Sequence, residues 1–212
     1  MKCKTSLRAI ATILVTLLWS IGDVALGMNG DERQELTRLA ELTQWKEGTV
    51  VADIGAGDGT YSFLVAEKVG PSGRVYATEI DKSKLKSLEA EAAKRKLENI
   101  VIVEGTADDT KLPSSCCDTI FLRHVYHHLT QPQKFDRNLV RSLRPGAYLA
   151  IIDFPPSPNL PPVEGVPTNR GGHGIPEKVM VEELTSAGLH VEKVIDDWSA
   201  NDYCVIFLKR SP

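Results

Sequence analysis

A glycine-rich turn between Val50 and Ser62 is the strongest chemical signal in this sequence, where the residues are VVADIGAGDGTYS. Gly55, Gly57 and Gly59 occupy every second position. Glycines let the backbone turn tightly and approach a ligand without Cβ atoms in the way. An apolar run precedes the turn and a helical pattern follows it. The free N–H groups at the start of that helix therefore point to the ligand position beside the turn. This arrangement is typical of a nucleotide-cofactor loop.

The spacing of the glycines narrows the choice of nucleotide. A dinucleotide-binding loop has the pattern G-x-G-x-x-G. Counted from Gly55, the sixth position is Thr60. Counted from Gly57, it is Ser62. The dinucleotide pattern therefore fails in both registers, and what remains is D-x-G-x-G-x-G, with Asp53 at the end of the preceding strand.

A second acid follows at a distance that suits a ribose. Glu79 ends the next apolar run and stands 20 residues after Gly59. A carboxylate at this position can accept hydrogen bonds from ribose hydroxyls, as in dinucleotide-binding folds. Asp81 lies two residues further on, and we expect it to cap the helix that starts at Lys82. Glu79 is thus a candidate cofactor ligand.

Three histidines and a tyrosine occur in five residues within FLRHVYHHL, residues 121–129. Histidine titrates near neutral pH and suits proton transfer. The segment follows the fourth predicted strand, on the side of an open sheet where ligands bind. His124 and His127 are therefore candidate catalytic bases. A metal site is the alternative, because His124 and His128 are four residues apart and Asp153 or His173 could complete it.

The elements that must position these residues alternate between strands and helices. Continuous apolar runs predict buried strands, and apolar residues at helical spacing predict amphipathic helices. We predict strands over residues 49–54, 74–79, 100–104, 119–122, 148–153, 190–196 and 203–209, and helices over residues 31–46, 60–69, 82–96, 132–143 and 176–187.

This alternation predicts one α/β domain, which the length of 212 residues also suits. Apolar strands that alternate with helices are typical of a mostly parallel sheet covered on both faces. No helix separates the last two strands, so they should form an antiparallel pair at one edge. The prediction is a doubly wound, seven-stranded, mostly parallel sheet with an antiparallel edge strand and helices on both faces.

The longest irregular segment, residues 155–176, contains several prolines and the run GGHG. A loop of this length inside a compact domain is more often functional than idle. We therefore consider two interpretations, a lid over the site and a surface excursion.

Residues 1–27 have the layout of a secretory signal peptide, which leaves 28–212 as the folded domain. Three basic residues precede an apolar run from Ala9 to Trp19, and small residues lead to Gly27. The run is shorter than the roughly 20 apolar residues of a membrane span. The chain is therefore expected to be exported, periplasmic or secreted, if the leader is cleaved. An uncleaved membrane anchor and a buried helix are the alternatives, and only the anchor would make the membrane a partner.

The charge and the cysteines exclude several classes of function. With 25 basic and 28 acidic residues the net charge is −3, which is not the footprint of a nucleic-acid-binding protein. Four cysteines without a C-x2-C pair are neither a disulfide framework nor a zinc site. Cys116 and Cys117 are adjacent and could bridge only with strain. After export, Cys204 could bridge to one of them. We expect a small-molecule partner and no resident metal.

The chain resembles the class I S-adenosylmethionine-dependent methyltransferases of the small-molecule type. The resemblance rests on D-x-G-x-G-x-G at residues 53–59, on Glu79, and on Arg144-Pro145-Gly146 before the fifth strand, and it extends over residues 31–209. It implies a Rossmann-like fold and S-adenosylmethionine as the cofactor. By resemblance, Asp53 helps to hold the methionyl end and Glu79 the ribose. The residues that would pass under the methionine and ribose are Gly55, Ala56, Gly57 and Gly59.

The resemblance also assigns roles after the third and fourth strands. In such proteins the loop corresponding to residues 104–113 frames the adenine. This implies that Ala107 contributes its backbone and Asp108 its side chain, although Thr106 replaces the usual acid and the loop is longer. A solvated acidic turn is the alternative. The last histidine of a His-His-Leu run often anchors the following loop, which implies a structural role for His128.

The resulting hypothesis is in-line transfer of a methyl group from S-adenosylmethionine to a small acceptor. If the acceptor is protonated, a base such as His124 or His127 would remove the proton. The Asn/Asp-Pro-Pro-Tyr run of enzymes that methylate nucleic-acid bases is absent after the fourth strand. Two alternatives remain open. One is a non-catalytic cofactor-binding or scaffold domain of the cell envelope, which the leader favours, and the other is a nicotinamide-dependent oxidoreductase.

Overall fold

The computed structural model describes residues 30–211. The predicted leader, residues 1–27, lies outside the described residues. Within the described part of the chain, no helix has the length and apolar character needed to cross a membrane.

Seven strands form one sheet in the order β3-β2-β1-β4-β5-β7-β6. The strands are β1 (Val50–Ile54), β2 (Arg74–Glu79), β3 (Ile100–Glu104), β4 (Cys117–Arg123), β5 (Leu143–Asp153), β6 (His190–Ser199) and β7 (Asp202–Leu208). The helices are α1 (Gly30–Leu42), α2 (Thr60–Val69), α3 (Lys82–Arg95), α4 (Pro132–Ser142) and α5 (Glu177–Ser186).

The strand directions confirm the predicted fold class. The pairs β1–β2, β1–β4, β2–β3 and β4–β5 are parallel. The last two strands form the predicted antiparallel pair at one edge. Within that pair, β7 runs against β5 and β6 is the outermost strand.

Helices cover both faces of the sheet, as predicted. On one face, Phe135 of α4 and Met180 of α5 are buried in one cluster with Ile120. On the other face, Val65 of α2 is buried in a second cluster with Phe121, to which α1 also contributes. Because successive side chains of a strand point to opposite faces, neighbouring residues of β4 serve different layers.

The junction between α4 and β5 differs from the prediction. We expected Pro145-Gly146 to end a helix at residue 143 and a strand to begin at 148. The helix instead ends at Ser142, and β5 already starts at Leu143, which pairs with Cys117. A proline disfavours helical backbone at the residue before it, so the helix has to end ahead of Arg144.

The topology creates a crevice where the strand order reverses. From β1 the chain builds β2 and β3 on one side, then returns to place β4 on the other side. The last residues of β1, β2 and β4 are Ile54, Glu79 and Arg123, and they lie at the same edge of the sheet. Ligands of open α/β sheets bind outside the carboxyl ends of the strands at such a point.

Candidate functional site

Backbone conformation and packing explain the glycines of the turn after β1. Gly55, Gly57 and Gly59 have φ values of +74°, +60° and +84°. A Cβ on Gly55 would lie 2.5 Å from a methyl group of Val125, and one on Gly59 would lie 2.5 Å from a methyl group of Leu88. At Gly57 the nearest heavy atom would be 3.9 Å away. Two of the glycines therefore serve packing, and the third leaves open space beside the turn, as a bound cofactor would need.

Glu79 ties the glycine turn to the end of β2. One carboxylate oxygen accepts hydrogen bonds from the backbone N–H groups of Ile80 at 2.7 Å and Asp81 at 3.0 Å. The other oxygen accepts one from the N–H of Gly57 at 3.0 Å. A carboxylate has about four acceptor positions, so one remains on the second oxygen for a ribose hydroxyl. Asp81 caps α3, as predicted.

Asp53 is buried at the end of β1 and its carboxylate faces α2. The hydroxyl of Ser62 donates a hydrogen bond to it at 2.6 Å. Burial raises the pKa of Asp53 to about 7, although the Ser62 hydrogen bond opposes the shift. The side chain therefore fastens the glycine turn to the helix that follows it. Its contact with the methionyl end of the cofactor stays a prediction.

A cavity of about 450 Å³ opens at the carboxyl ends of β1, β2 and β4. Ligand pockets of small molecules fall in this size range. Four of the predicted site residues line it: Gly55, Glu79, Ala107 and His124. The other lining residues include Ile80, Thr106, Arg123, Val125, His128, Leu129, Phe135 and Val163. Six predicted site residues lie outside this lining: Asp53, Ala56, Gly57, Gly59, Asp108 and His127.

Asp108 points toward α4. Its carboxylate forms an ion pair with Lys134 and accepts a hydrogen bond from the hydroxyl of Thr106 at 2.7 Å. The same two partners hold the pKa of Asp108 below its usual range. Asn138 donates a further hydrogen bond to its backbone oxygen at 3.0 Å. The loop therefore presents Ala107 to the cavity, while the carboxylate of Asp108 fastens the loop to α4.

His124 lines the cavity with both ring nitrogens engaged. Nε2 lies 2.8 Å from a carboxylate oxygen of Asp202, and Nδ1 lies 3.3 Å from a guanidinium nitrogen of Arg123. A guanidinium only donates, so Nδ1 accepts and Nε2 carries the hydrogen. His124 also has a φ of +55°, a backbone region that favours glycine. Its predicted role as a base would first require one of these contacts to break.

His127 is buried behind the cavity and has one free nitrogen. Nδ1 lies 2.8 Å from one oxygen of Asp153, and the backbone N–H of His127 donates to the other oxygen at 3.1 Å. The carboxylate only accepts, so Nδ1 carries the hydrogen and Nε2 has a lone pair. Nε2 is buried without a hydrogen-bond partner. In enzymes that use histidine as a general base, a carboxylate orients the imidazole in the same way.

Three aromatic rings surround His127. Its ring centroid lies 4.0 Å from that of His128, 4.8 Å from Phe154 and 5.3 Å from His173. His128 lines the cavity, and burial together with its two histidine neighbours holds its pKa below the usual range.

Among residues 30–211, no group of three or more His, Cys, Asp or Glu side chains is placed to hold a metal ion.

Arg123 lines the cavity and is not among the site residues predicted from the sequence. Its Nε donates to the carboxylate of Glu35 in α1 at 3.0 Å. Glu35 also accepts hydrogen bonds from the hydroxyl of Tyr61 at 2.6 Å and from the indole of Trp198 at 2.7 Å. No sequence pattern indicates this network, because 88 residues separate Arg123 from Glu35.

Arg170 fastens the irregular segment 155–176 to the histidine turn. Its side chain is buried, and its Nε donates to the carboxylate of Glu183 at 2.9 Å. Its other nitrogens donate to the backbone oxygens of Leu129 at 2.8 Å and Tyr126 at 3.1 Å. The segment is therefore anchored through one cation to the residues that flank His127 and His128.

The family of the chain follows from a comparison with known proteins. A family profile described as "Methyltransferase domain" matches residues 45–186, about two thirds of the chain. The chain belongs to this methyltransferase family. The matched range begins before β1 and ends with α5, so it contains the glycine turn, Glu79 and the histidine turn.

Relatives of this methyltransferase support the assignment. A demethylmenaquinone methyltransferase of Listeria monocytogenes is 27% identical over 129 residues, which cover 61% of this chain and 53% of the relative. A nocamycin O-methyltransferase of Saccharothrix syringae is 28% identical over 123 residues, covering 58% and 44%. The match thus spans about half the length of these relatives.

A solved structure agrees over a larger part of the fold. The crystal structure of an S-adenosylmethionine-dependent methyltransferase from Aquifex aeolicus superposes with a TM-score of 0.68 and 28% identity, covering 84% of this chain and 93% of that one. The predicted membership of the class I S-adenosylmethionine-dependent methyltransferases is confirmed, and so is the predicted cofactor.

Proposed function

We propose that this methyltransferase transfers the methyl group of S-adenosylmethionine to a small-molecule acceptor by in-line transfer. The observation that carries the proposal is the cavity at the ends of β1, β2 and β4, which extends from Glu79 to His128. Its volume of about 450 Å³ suits small molecules. Demethylmenaquinone and nocamycin, the compounds in the names of two relatives, are small acceptors as well.

The residues that would bind the cofactor come from three strand ends. Glu79 would accept a ribose hydroxyl at its remaining acceptor position, and the open space at Gly57 would receive the chain of the cofactor. Ile80, which is 60% exposed, and Ala107 line the cavity and would pack against the adenine. When bound, S-adenosylmethionine supplies a methyl group on a positively charged sulfur, which needs no further activation. The protein then has to align the acceptor and exclude water, and alignment can contribute ~7–11 kcal/mol.

His127 is the proposed base for an acceptor that must lose a proton. Asp153 orients its ring and leaves the lone pair of Nε2 free, whereas both nitrogens of His124 already have partners. Proton transfer to a positioned base contributes a factor of ~10²–10⁴ to the rate. Asp153 would stabilise the imidazolium that forms, because its carboxylate stays next to Nδ1.

The segment 155–176 would act as a lid over His127. Nε2 of His127 has no exposed surface, and His173 and Phe154 pack against the ring. His173 is oriented by a hydrogen bond from its Nδ1 to the backbone oxygen of Pro161, at 2.8 Å. Displacing the part of the segment around His173 would open a path from the cavity to Nε2.

Residues 1–27 are proposed to direct export, with cleavage after Gly27. An exported compartment is not expected to hold S-adenosylmethionine, so an uncleaved anchor that leaves the domain in the cytoplasm is the second candidate. Sequencing the N-terminus of the protein purified from its native host distinguishes them. A mature start at Met28 supports export, and an intact leader supports the anchor.

Calorimetric titration of the full chain with S-adenosylmethionine, and separately with NAD, tests the cofactor site. We expect saturable micromolar binding of S-adenosylmethionine alone. Glu79→Gln should weaken it at least ~10-fold, because a hydrogen bond to a charged group contributes about 1.5–3 kcal/mol. Glu104→Gln is the matched control, since Glu104 pairs with Glu79 across β2 and β3 but is exposed. Absence of binding to either nucleotide would contradict the proposal.

The base is tested by measuring S-adenosylhomocysteine formation across a panel of small phenols, enols, amines and thiols. With any accepted compound that loses a proton, His127→Ala should lower kcat by ~10²–10⁴ and leave binding of S-adenosylmethionine unchanged. His190→Ala, an exposed position on β6, is the control. A large loss of kcat in His124→Ala with full activity in His127→Ala would move the role to His124.

A further inference from the structure

Two adjacent cysteines lie at the start of β4, at the end of the strand opposite the cavity. The sulfur atoms of Cys116 and Cys117 are 2.7 Å apart. Cys116 is half-buried and Cys117 is buried. No step of methyl transfer uses them, so the pair needs a separate explanation.

The surroundings of the two thiols differ in a way that suits a redox pair. A hydrogen bond from the Cys117 thiol lowers the pKa of Cys116, and the guanidinium groups of Arg144 and Arg141 act in the same direction. The neighbouring Cys116 and burial raise the pKa of Cys117. The thiolate is the reactive form of cysteine, so the accessible member of the pair is also the nucleophilic one.

Cys204 is not a partner for either thiol. It is buried in the cluster beneath α1 and α2, whereas Cys117 belongs to the cluster on the opposite face of the sheet. From the sequence alone, a bridge between Cys204 and the adjacent pair stayed open. The sheet itself separates the thiols, and that expectation is therefore corrected.

A bridge between adjacent residues is easily reversed. Disulfide-linked residues ordinarily have Cα atoms about 4.4–6.8 Å apart. Adjacent Cα atoms are about 3.8 Å apart across a trans peptide bond, so the bridge is strained. Strained disulfides are the labile and regulatory ones.

We propose that Cys116 and Cys117 form a reversible vicinal disulfide by exchange with a small disulfide such as oxidised glutathione. The Cys116 thiolate attacks one sulfur of glutathione disulfide, and one glutathione thiolate leaves. Cys117 then loses its proton and attacks the Cys116 sulfur, which expels the second glutathione. Two protein thiols are oxidised and one glutathione disulfide is reduced to two thiols. The proposal does not depend on the methyl acceptor or on cofactor binding.

Mass spectrometry of the full chain tests this proposal directly. The folded protein is equilibrated with mixtures of reduced and oxidised glutathione, quenched in acid, unfolded, treated with N-ethylmaleimide and digested with trypsin. Residues 112–123 form one tryptic peptide with both cysteines, and residues 194–209 form another with Cys204 alone. In oxidising mixtures we expect most of the first peptide to be two hydrogen atoms lighter and free of maleimide. Excess reduced glutathione should reverse the change.

The second peptide and two variants supply the controls. Cys204 should carry maleimide at every glutathione ratio. In Cys117→Ser, the exchange should stop at a glutathione adduct on Cys116. In Cys116→Ser, the buried Cys117 should stay unmodified in the folded protein. Wild-type protein in which both adjacent cysteines carry maleimide at every ratio would overturn the proposal, and so would one that accumulates glutathione adducts without an internal bridge.

Discussion

Replacing Arg170 with methionine should destabilise the fold by about 3–5 kcal/mol, the usual cost of removing one partner of a buried ion pair. The side chain is 1% exposed, and it donates hydrogen bonds to Glu183 and to the backbone oxygens of Leu129 and Tyr126. Methionine fills part of the volume but removes the guanidinium donor from all three acceptors. For a chain of this size, the melting temperature should fall by about 10 °C.

The loss of unfolding free energy caused by Arg170→Met should increase with pH. Burial and the charge of Glu183 raise the pKa of Asp136 to about 7, and Arg170 opposes that shift. A group whose pKa is raised in the folded state contributes stability at low pH and loses it as the pH rises through the folded value. Without Arg170 the pKa of Asp136 rises further, so the additional loss appears as the pH rises above about 7.

Urea unfolding followed by circular dichroism at pH 5 and pH 8 measures both effects. Arg144→Met is the control, because the Arg144–Asp118 pair is 43% and 38% exposed and should be worth no more than about 1 kcal/mol. Adding Glu183→Gln to Arg170→Met should restore part of the loss, since it removes the uncompensated charge. Equal costs for Arg170→Met and Arg144→Met, or a cost that falls with pH, would refute this reasoning.

Two further predictions concern the glycine turn. Asp53→Asn should stabilise the protein at pH 8 by up to about 4 kcal/mol but not at pH 4. The reason is that the pKa of Asp53 is raised to about 7 in the folded state, whereas an amide does not titrate. Urea midpoints at the two pH values measure the effect, and a midpoint of Asp53→Asn below that of the wild type at pH 8 would contradict it. Gly55→Ala should weaken S-adenosylmethionine binding and lower the melting temperature more than Gly146→Ala does, because both positions have a positive φ but only at Gly55 does the new Cβ meet Val125. Calorimetry and thermal unfolding measure the difference, and equal losses would refute the steric argument.

The elements nearest the cofactor turn could be predicted from the sequence almost to the residue. The bounds of α2, β2 and β3 coincide with the predicted ranges 60–69, 74–79 and 100–104. Apolar periodicity and the Gly70-Pro71 stop at the end of α2 act within a few residues, so they do not depend on the rest of the fold. The glycine turn and Glu79 belong to the same category, because the strand-to-helix connection and the end of the next strand are local features.

The partners of the polar side chains were decided by the tertiary structure alone. The position of α4 brings Lys134 to the carboxylate of Asp108, whose contact with the adenine stays a prediction. His124 and His127 look equivalent in the sequence. Because β4 lies next to β5, His127 meets Asp153 across 26 residues, while the return of β7 brings Asp202 to His124 across 78 residues. Which imidazole has a free nitrogen is therefore set by strand order in the sheet, and strand order depends on contacts between residues far apart in the chain.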